Sequence, residues 1–262
     1  MRIDGRVLAA DIRDRIEDRM ARPRGRMVAV LVGDNPASCS FVARKADAAR
    51  AFGVSFEVVR FGVDTPQEAL VNSITALAAD DAVGGIVLQL PLPAGYSRDI
   101  LIRAIGSLKD VDNLSGDAPV QAPAVRAVQT ILASCGKTLA DFKAVRIVGN
   151  GFLVGAPIAR FCAESGVSYA VADISTQDLE GFVRAGDLVI TGVGKTGVVD
   201  PVWLADGAGV IDFGFPPDFD QEKLAACGDR LAFYTPTPYG TGPILVAKLF
   251  ENFYALEGVR KI

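Results

Sequence analysis

The sequence predicts an α/β protein organised as two domains with parallel sheets, and three observations carry that reading. Near-continuous apolar runs such as residues 27–32 (M-V-A-V-L-V) have the composition of strands buried on both faces of a parallel sheet. These runs alternate with helical stretches in two blocks, one ending near residue 90 and one starting near residue 145, which is the order of successive βα units. Residues 145–155 then read V-R-I-V-G-N-G-F-L-V-G, an apolar run followed by glycines at the opening of a helix.

The elements follow in order. A first helix is expected over about residues 7–20, and residues 27–32 form the first buried strand. Gly33, Asp34, Asn35 and Pro36 make a loop, and Ser38 is a good N-cap for a helix running to about Phe52. Residues 54–61 are the next strand. Thr65 is read as the N-cap and Pro66 as the first residue of a helix reaching Ala79. Residues 85–90 are a third buried strand, stopped by Pro91, Leu92 and Pro93. In the second block a helix over about 122–135 leads into the strand at Val145, a helix over about 154–165 and a strand ending at Asp173. Residues 187–191 and 208–213 are further strands. A segment rich in Pro, Gly and Thr (234–243) precedes an amphipathic helix over 242–256.

Composition removes several function classes. The 262 residues are half apolar and 22% charged, so the chain is globular and long enough for one large or two modest cores. A net charge of −4 without a Lys/Arg block leaves no electrostatic footprint for nucleic acid. The first residues alternate charged and apolar side chains, unlike a signal peptide, and no run reaches membrane-spanning length. A cytoplasmic protein without a membrane partner is expected. Cys39, Cys135, Cys162 and Cys227 lack C-x-x-C spacing and read as reduced, small apolar side chains. The chain has no histidine, which removes Ser-His-Asp and Cys-His catalysis and most zinc sites, and no metal is expected. Proton chemistry must fall to Lys, Asp, Glu, Tyr or Cys.

Gly149, Gly151 and Gly155 suit a dinucleotide. Glycine permits a tight turn and lets the backbone approach a pyrophosphate, and the N-terminus of the following helix faces the phosphate charge. Asp173 closes the next strand (S-Y-A-V-A-D), where an acid can bind ribose hydroxyls. The spacing is G-x-G-x-x-x-G rather than G-x-G-x-x-G, so the glycines alone also fit an ordinary βα turn. The ordered strand, helix, second strand and acid favour a Rossmann-type domain.

Elsewhere, Lys45 lies seven residues after Ser38 on the helix that follows the first strand, where a lysine by itself reads as part of a solvated face. Gln89 sits at the carboxyl end of a buried strand and needs a partner or ligand there, because burial of a polar group without a hydrogen bond costs about 1–3 kcal/mol. Lys109, Asp110, Val111 and Asp112 alone are only a charged loop. Residues 234–243 are too rigid for a linker.

Together these pieces resemble the bifunctional methylenetetrahydrofolate dehydrogenase/methenyltetrahydrofolate cyclohydrolase family, along nearly the whole chain. V-G-D-N-P-A-S-C-S-F-V-A-R-K (32–45) is similar to V-G-x-x-P-A-S-x-x-Y-V-x-x-K, and G-I-V-L-Q-L-P-L-P (85–93) to G-x-x-V-Q-L-P-L-P. K-D-V-D (109–112) stands at the matching place. V-G-N-G-F-L-V-G-A-P (148–157) resembles V-G-R-S-x-x-V-G-x-P, and T-P-T-P-Y-G-T-G-P (235–243) resembles T-P-V-P-G-G-V-G-P.

The resemblance implies an N-terminal three-layer α/β domain, residues 1–120, completed by the C-terminal helix, residues 242–262. Residues 121–241 would form the Rossmann-type NAD(P)-binding domain. It implies oxidation of 5,10-methylenetetrahydrofolate to the methenyl form with NAD or NADP, hydrolysis of that form to 10-formyltetrahydrofolate, and a homodimer. It makes Lys45 the catalytic lysine, Gln89 the glutamine that hydrogen-bonds it and Asp112 the acid that holds the pterin. It places Phe41, Leu90, Pro91, Thr237, Pro238, Tyr239 and Gly240 against the folate. Gly149, Asn150, Gly151, Leu153, Val154, Asp173, Gly192, Val193, Gly194 and Phe215 would meet the dinucleotide.

The departures from the family pattern are informative. The family tyrosine four residues before the lysine is Phe41, which keeps the aromatic face and loses the hydroxyl. After K-D-V-D the usual G-F-H-P is replaced by Asn113, Leu114, Ser115 and Gly116 in a shortened segment, and P-C-T-P by Q-A-P-A (121–124), which remodels the substrate wall. The R-S pair is Asn150 and Gly151, and the residues that often meet a 2′-phosphate give way to Asp173, so NAD is favoured over NADP. Two other readings stay open: a dehydrogenase acting on another pterin or one-carbon carrier, and a non-catalytic folate- or dinucleotide-binding protein.

Overall fold

A computed structural model describes residues 1–259. The chain divides into two compact units, one comprising residues 11–123 with the segment from Val246, the other residues 1–10 with 124–245. Each is a parallel α/β layer.

In the first unit the sheet order is β2-β1-β3, with β1 (Arg26–Val32) at the centre, β2 (Phe56–Phe61) and β3 (Val83–Leu88). Met27 stands opposite Phe56 and Val32 opposite Phe61, while Val28 pairs with Ile86 and Val30 with Leu88. Residues 27–32 and all of β3 are buried, as expected for strands covered on both faces. The unit also holds α2 (Pro36–Ala51), α3 (Gln67–Ala79) and α4 (Arg98–Ile105). The last helix, α9 (Thr241–Val259), belongs to this unit from Val246 onward. Its Phe250 stacks on Phe52 at 4.8 Å, and Tyr254 Oη donates to the Phe52 carbonyl at 2.7 Å. The Glu257 carboxylate accepts the Arg24 and Gly25 N–H groups at 2.9 and 3.0 Å. Gly84 and Gly85 make this possible, because a Cβ at either would stand 2.9 Å from the Phe253 ring.

In the second unit five parallel strands run β5-β4-β6-β7-β8: β4 (Val145–Val148), β5 (Tyr169–Ala172), β6 (Leu188–Thr191), β7 (Gly209–Asp212) and β8 (Phe233–Tyr234). The order reverses at β4, with β5 on one side and β6 on the other, which is the switch point where open α/β sheets take ligands. The unit's helices are α5 (Pro123–Ser134), α6 (Gly155–Glu164), α7 (Leu179–Arg184) and α8 (Gln221–Ala226). Val148, Val189, Val210, Phe219 and Leu224 share its core. The first helix, α1 (Gly5–Arg19), begins after residues that extend this sheet at β8. There Ile3 N–H donates to the Tyr234 carbonyl and Tyr234 N–H to the Met1 carbonyl, both at 2.9 Å. Those bonds group residues 1–10 with the second unit, whereas the sequence places them with the first.

Local expectations need correction at three points. The cap of α2 is Asn35, whose Oδ1 accepts the Ala37 and Ser38 N–H groups at 3.0 and 3.2 Å, and Ser38 is a buried residue of the first turn. Pro36 already fixes the helical φ at its first position, so the cap falls one residue earlier. Thr65 does not cap α3; its N–H closes a turn onto Gly62 and its carbonyl accepts Tyr96 Oη, leaving Pro66 at the boundary. The terminal helix is not one-sidedly amphipathic. Its polar residues Lys248, Asn252 and Glu257 are buried with partners, so they mark contacts rather than a wet face.

Candidate active site

The spacing of Ser38, Phe41 and Lys45, at i, i+3 and i+7, lines them along one stripe of α2. Ser38 is buried, and its Oγ has no hydrogen-bond partner among the described residues. Phe41 is half-buried, with the Arg44 guanidinium 5.7 Å from its ring centre. Lys45 is half-buried, and its Nζ donates to Gln89 Oε1 at 3.1 Å.

Gln89 is fixed at both ends. Its N–H continues the sheet by donating to the Val30 carbonyl at 2.9 Å, and its Nε2 donates to the Leu90 carbonyl at 2.6 Å. The amide oxygen is thereby left to the lysine. Leu90 is half-buried and Pro91 exposed, joined by a cis peptide bond.

Asp112 arrives from the other side of β3. Ile86 N–H donates to the Lys109 carbonyl at 2.7 Å, and Ile86 bridges Asp110, so K-D-V-D runs beside the strand. Buried Val111 packs where a Cβ on Gly85 would stand. Withdrawal from water lowers the Lys45 pKa, and the Asp112 charge partly restores it. The same burial raises the Asp112 pKa, with Lys45 pulling it down and Asp110 pushing it up. The structure thus brings Lys45, Gln89 and Asp112 together.

Two further residues shape this corner. Asn252, fully buried on α9, donates through Nδ2 to the Val111 carbonyl at 2.9 Å and the Gln121 carbonyl at 2.8 Å. It pins the backbone on which Asp112 rides, and its only sequence signal was an amide inside an apolar helix. After Asp112 the chain turns sharply at Asn113 (φ 51°), whose Oδ1 accepts Ala118 N–H at 3.0 Å. Asp110 Oδ2 accepts Ser115 N–H at 2.8 Å. The shortened segment is therefore a closed turn.

In the second unit the glycines interlock. Gly149 has φ 97°, and a side chain there would stand 3.0 Å from Val193 Cγ2. A Cβ on Gly155 would overlap the Gly149 carbonyl. Gly151 is different: a Cβ there would meet only the Gly192 carbonyl at 3.7 Å, ordinary contact, so packing does not demand its bare backbone. Asn150, Gly151 and Leu153 are exposed, while Val154 packs against Gly192. Beside this cradle lie exposed Val193, Gly194 at φ 75° and exposed Phe215, whose carbonyl approaches Gly194. Asp173 is exposed just past β5. Its Oδ1 accepts Ser175 Oγ at 2.6 Å and Ser175 N–H at 2.8 Å, which hold the carboxyl below its usual range. An ionised, pre-oriented acid and a bare glycine turn fit a dinucleotide.

Thr237, Pro238, Tyr239 and Gly240 belong to the second unit. Thr237 N–H donates to Gln221 Oε1 at 2.6 Å, and Tyr239 (φ 74°) lies under the Arg6 guanidinium at 4.2 Å. Among the described residues there is no metal-holding group of His, Cys, Asp and Glu, and no helix is long and apolar enough to cross a membrane.

Comparison with known proteins gives one family over both units. The model of the tetrahydrofolate dehydrogenase/cyclohydrolase catalytic domain matches residues 3–112, and that of the family's NAD(P)-binding domain matches residues 122–260. The bifunctional protein FolD of Heliobacterium modesticaldum is 35% identical, over 95% of this chain and 93% of its own length. FolD 2 of Geobacter sulfurreducens is 32% identical, over 95% and 94%. Among solved structures, the FolD dehydrogenase/cyclohydrolase of Campylobacter jejuni superposes with a TM-score of 0.89 at 29% identity, covering 99% of both chains. The Trypanosoma brucei enzyme, solved with NADP and an inhibitor, gives 0.90 at 26% identity, covering 100% of this chain and 98% of its own.

Proposed function

The chain belongs to the tetrahydrofolate dehydrogenase/cyclohydrolase family, and we infer from that membership how its own residues carry the two reactions. It oxidises 5,10-methylenetetrahydrofolate to the methenyl form with NAD(P) and hydrolyses the methenyl form to 10-formyltetrahydrofolate. The observation that carries the assignment of roles is the Lys45–Gln89 hydrogen bond, facing the Asp112 charge in a chain without histidine.

A bound nicotinamide supplies the acceptor for the hydride that leaves the folate's methylene carbon. The protein's part in that step is orientation: Asp112 accepts hydrogen bonds from the pterin N–H groups, and Phe41 offers a flat apolar face. In the second reaction water adds to the cationic methenyl carbon and gives up one proton. The carbon–N5 bond then breaks as N5 takes the remaining hydroxyl proton, which leaves the formyl group on N10. Lys45 Nζ carries these protons. Burial lowers its pKa, so more of it is neutral amine at a given pH, and Gln89 Oε1 holds it in place. In the second unit, Asn150, Gly151, Leu153, Val154 and the 192–194 loop would hold the dinucleotide.

NAD is the preferred dinucleotide. The support is Asp173, an exposed carboxylate held ionised by Ser175 in a segment (D-I-S-T-Q-D) without a basic residue. A carboxylate accepts from a free ribose diol and repels a 2′-phosphate. Dissociation constants measured for both nucleotides should favour NAD, and Asp173→Ser should narrow the gap by about tenfold, the loss of one charge-assisted contact. Equal constants in the wild type would refute the preference.

A further inference from the structure

Asp218 is 0% exposed, yet among the described residues no cation pairs with it; its carboxylate is surrounded by three consecutive backbone N–H groups. Val193 N–H donates to Oδ2 at 2.8 Å, and Gly194 and Lys195 N–H donate to Oδ1 at 2.7 and 3.0 Å. Successive N–H groups converging on one point form an anion-binding nest, and here the protein's own carboxylate fills it. Asp218 is itself anchored, since its N–H donates to Asp212 Oδ2 at 3.0 Å. Asp212, also buried, accepts Gly214 N–H at 2.7 Å and Thr191 Oγ1 at 3.0 Å. Burial, with the Asp218 charge adding to it, pushes the Asp212 pKa up to about 6. Two buried acidic residues are thus linked through the Asp218 N–H, an arrangement that the sheet alone does not require. What it fixes is the loop after β6, where Gly194 at φ 75° presents the exposed Val193 beside the glycine cradle.

We propose that Asp218 is a positioning residue for the dinucleotide, setting the shape of the 192–195 loop by gathering its N–H groups inward. This rests on the assignment of that loop to the cofactor and adds a residue lying 23 to 25 positions further along the chain. Asp218→Asn keeps one acceptor oxygen but turns an N–H₂ toward the Val193 N–H, so the loop loses its geometry while volume is preserved.

The test is NAD titration and steady-state kinetics of the whole protein, with nucleotide-free hydrolysis of methenyltetrahydrofolate measured alongside. Asp218→Asn should raise the dissociation constant and KM for NAD by about 10- to 100-fold, the loss of charge-assisted bonds, with kcat at saturating NAD and the hydrolysis rate within about twofold of wild type. Gly194→Ala, which strains at φ 75° the loop whose N–H groups Asp218 gathers while leaving both acid side chains in place, should weaken NAD in the same direction and carries the test if Asp218→Asn does not fold. Wild-type NAD affinity in Asp218→Asn, or in Gly194→Ala where that variant stands in, would overturn the proposal. So would parallel loss of NAD binding and hydrolysis, which marks a general structural role. Failure of the wild-type protein to bind either nucleotide would instead overturn the cofactor assignment itself.

Discussion

Lys45 gives up its proton more readily than a surface lysine because removal from water penalises the charged amine, and Asp112 only partly offsets that penalty. The sign of the consequence is fixed. A lowered pKa moves the rise in neutral amine to lower pH, and any change that removes the Asp112 charge moves it further the same way. The pH profile of methenyl hydrolysis at saturating substrate should therefore show a limb below the ordinary lysine range, and Asp112→Asn should displace that limb toward lower pH. Displacement toward higher pH would mean that Asp112 does not act on Lys45. At this scale the sequence was most legible where spacing carries meaning. Lys45, Gln89 and Asp112 stood in motifs, and the helical period explains why Ser38, Phe41 and Lys45 share a stripe. Asn252 and Asp218 were not legible, because each works on backbone groups far away in the chain (Asn252 on Val111 and Gln121, Asp218 on residues 193–195), and backbone groups leave no trace in side-chain patterns.

Among the elements, buried parallel strands announce themselves by continuous apolar composition: β6 and β7 fall within the expected runs, while β1 starts one residue and β3 two residues before theirs. The helices α4, α7 and α8 and the strand β8 were not anticipated. At eight, six, six and two residues they are too short for a period to emerge, and packing rather than propensity holds them. The glycine turn at the start of α6 separates two roles that sequence reads as one. Gly155 has no room for a side chain against the Gly149 carbonyl, whereas Gly151 has room. Gly155→Ala should therefore cost roughly 1–3 kcal/mol or more of stability, as forced overpacking does, and lower the unfolding midpoint. Gly151→Ala should leave the midpoint nearly unchanged and weaken dinucleotide binding. Equal midpoints for the two variants would contradict the packing argument.

At the scale of the molecule, the chain assigns its chemistry to two parallel sheets. One brings Lys45, Gln89 and Asp112 to the carboxyl end of β3, and the other sets a glycine cradle at its switch point. The two-sheet α/β organisation was legible from the paired blocks of apolar runs. The return of the chain from Val246 to the first unit was legible only through the family resemblance, and the pairing of residues 1–3 with β8 was not legible at all, because those contacts join residues more than 200 positions apart. The central claim is that a histidine-free chain moves its protons through Lys45, while the dinucleotide is held by residues of the other unit. The most direct measurement is methenyltetrahydrofolate hydrolysis by Lys45→Met, with NAD affinity determined on the same sample. Hydrolysis should fall by about 10²–10⁴-fold, the contribution of a positioned general acid–base group, while the NAD dissociation constant stays within about twofold. Hydrolysis at the wild-type rate in that variant would contradict the account.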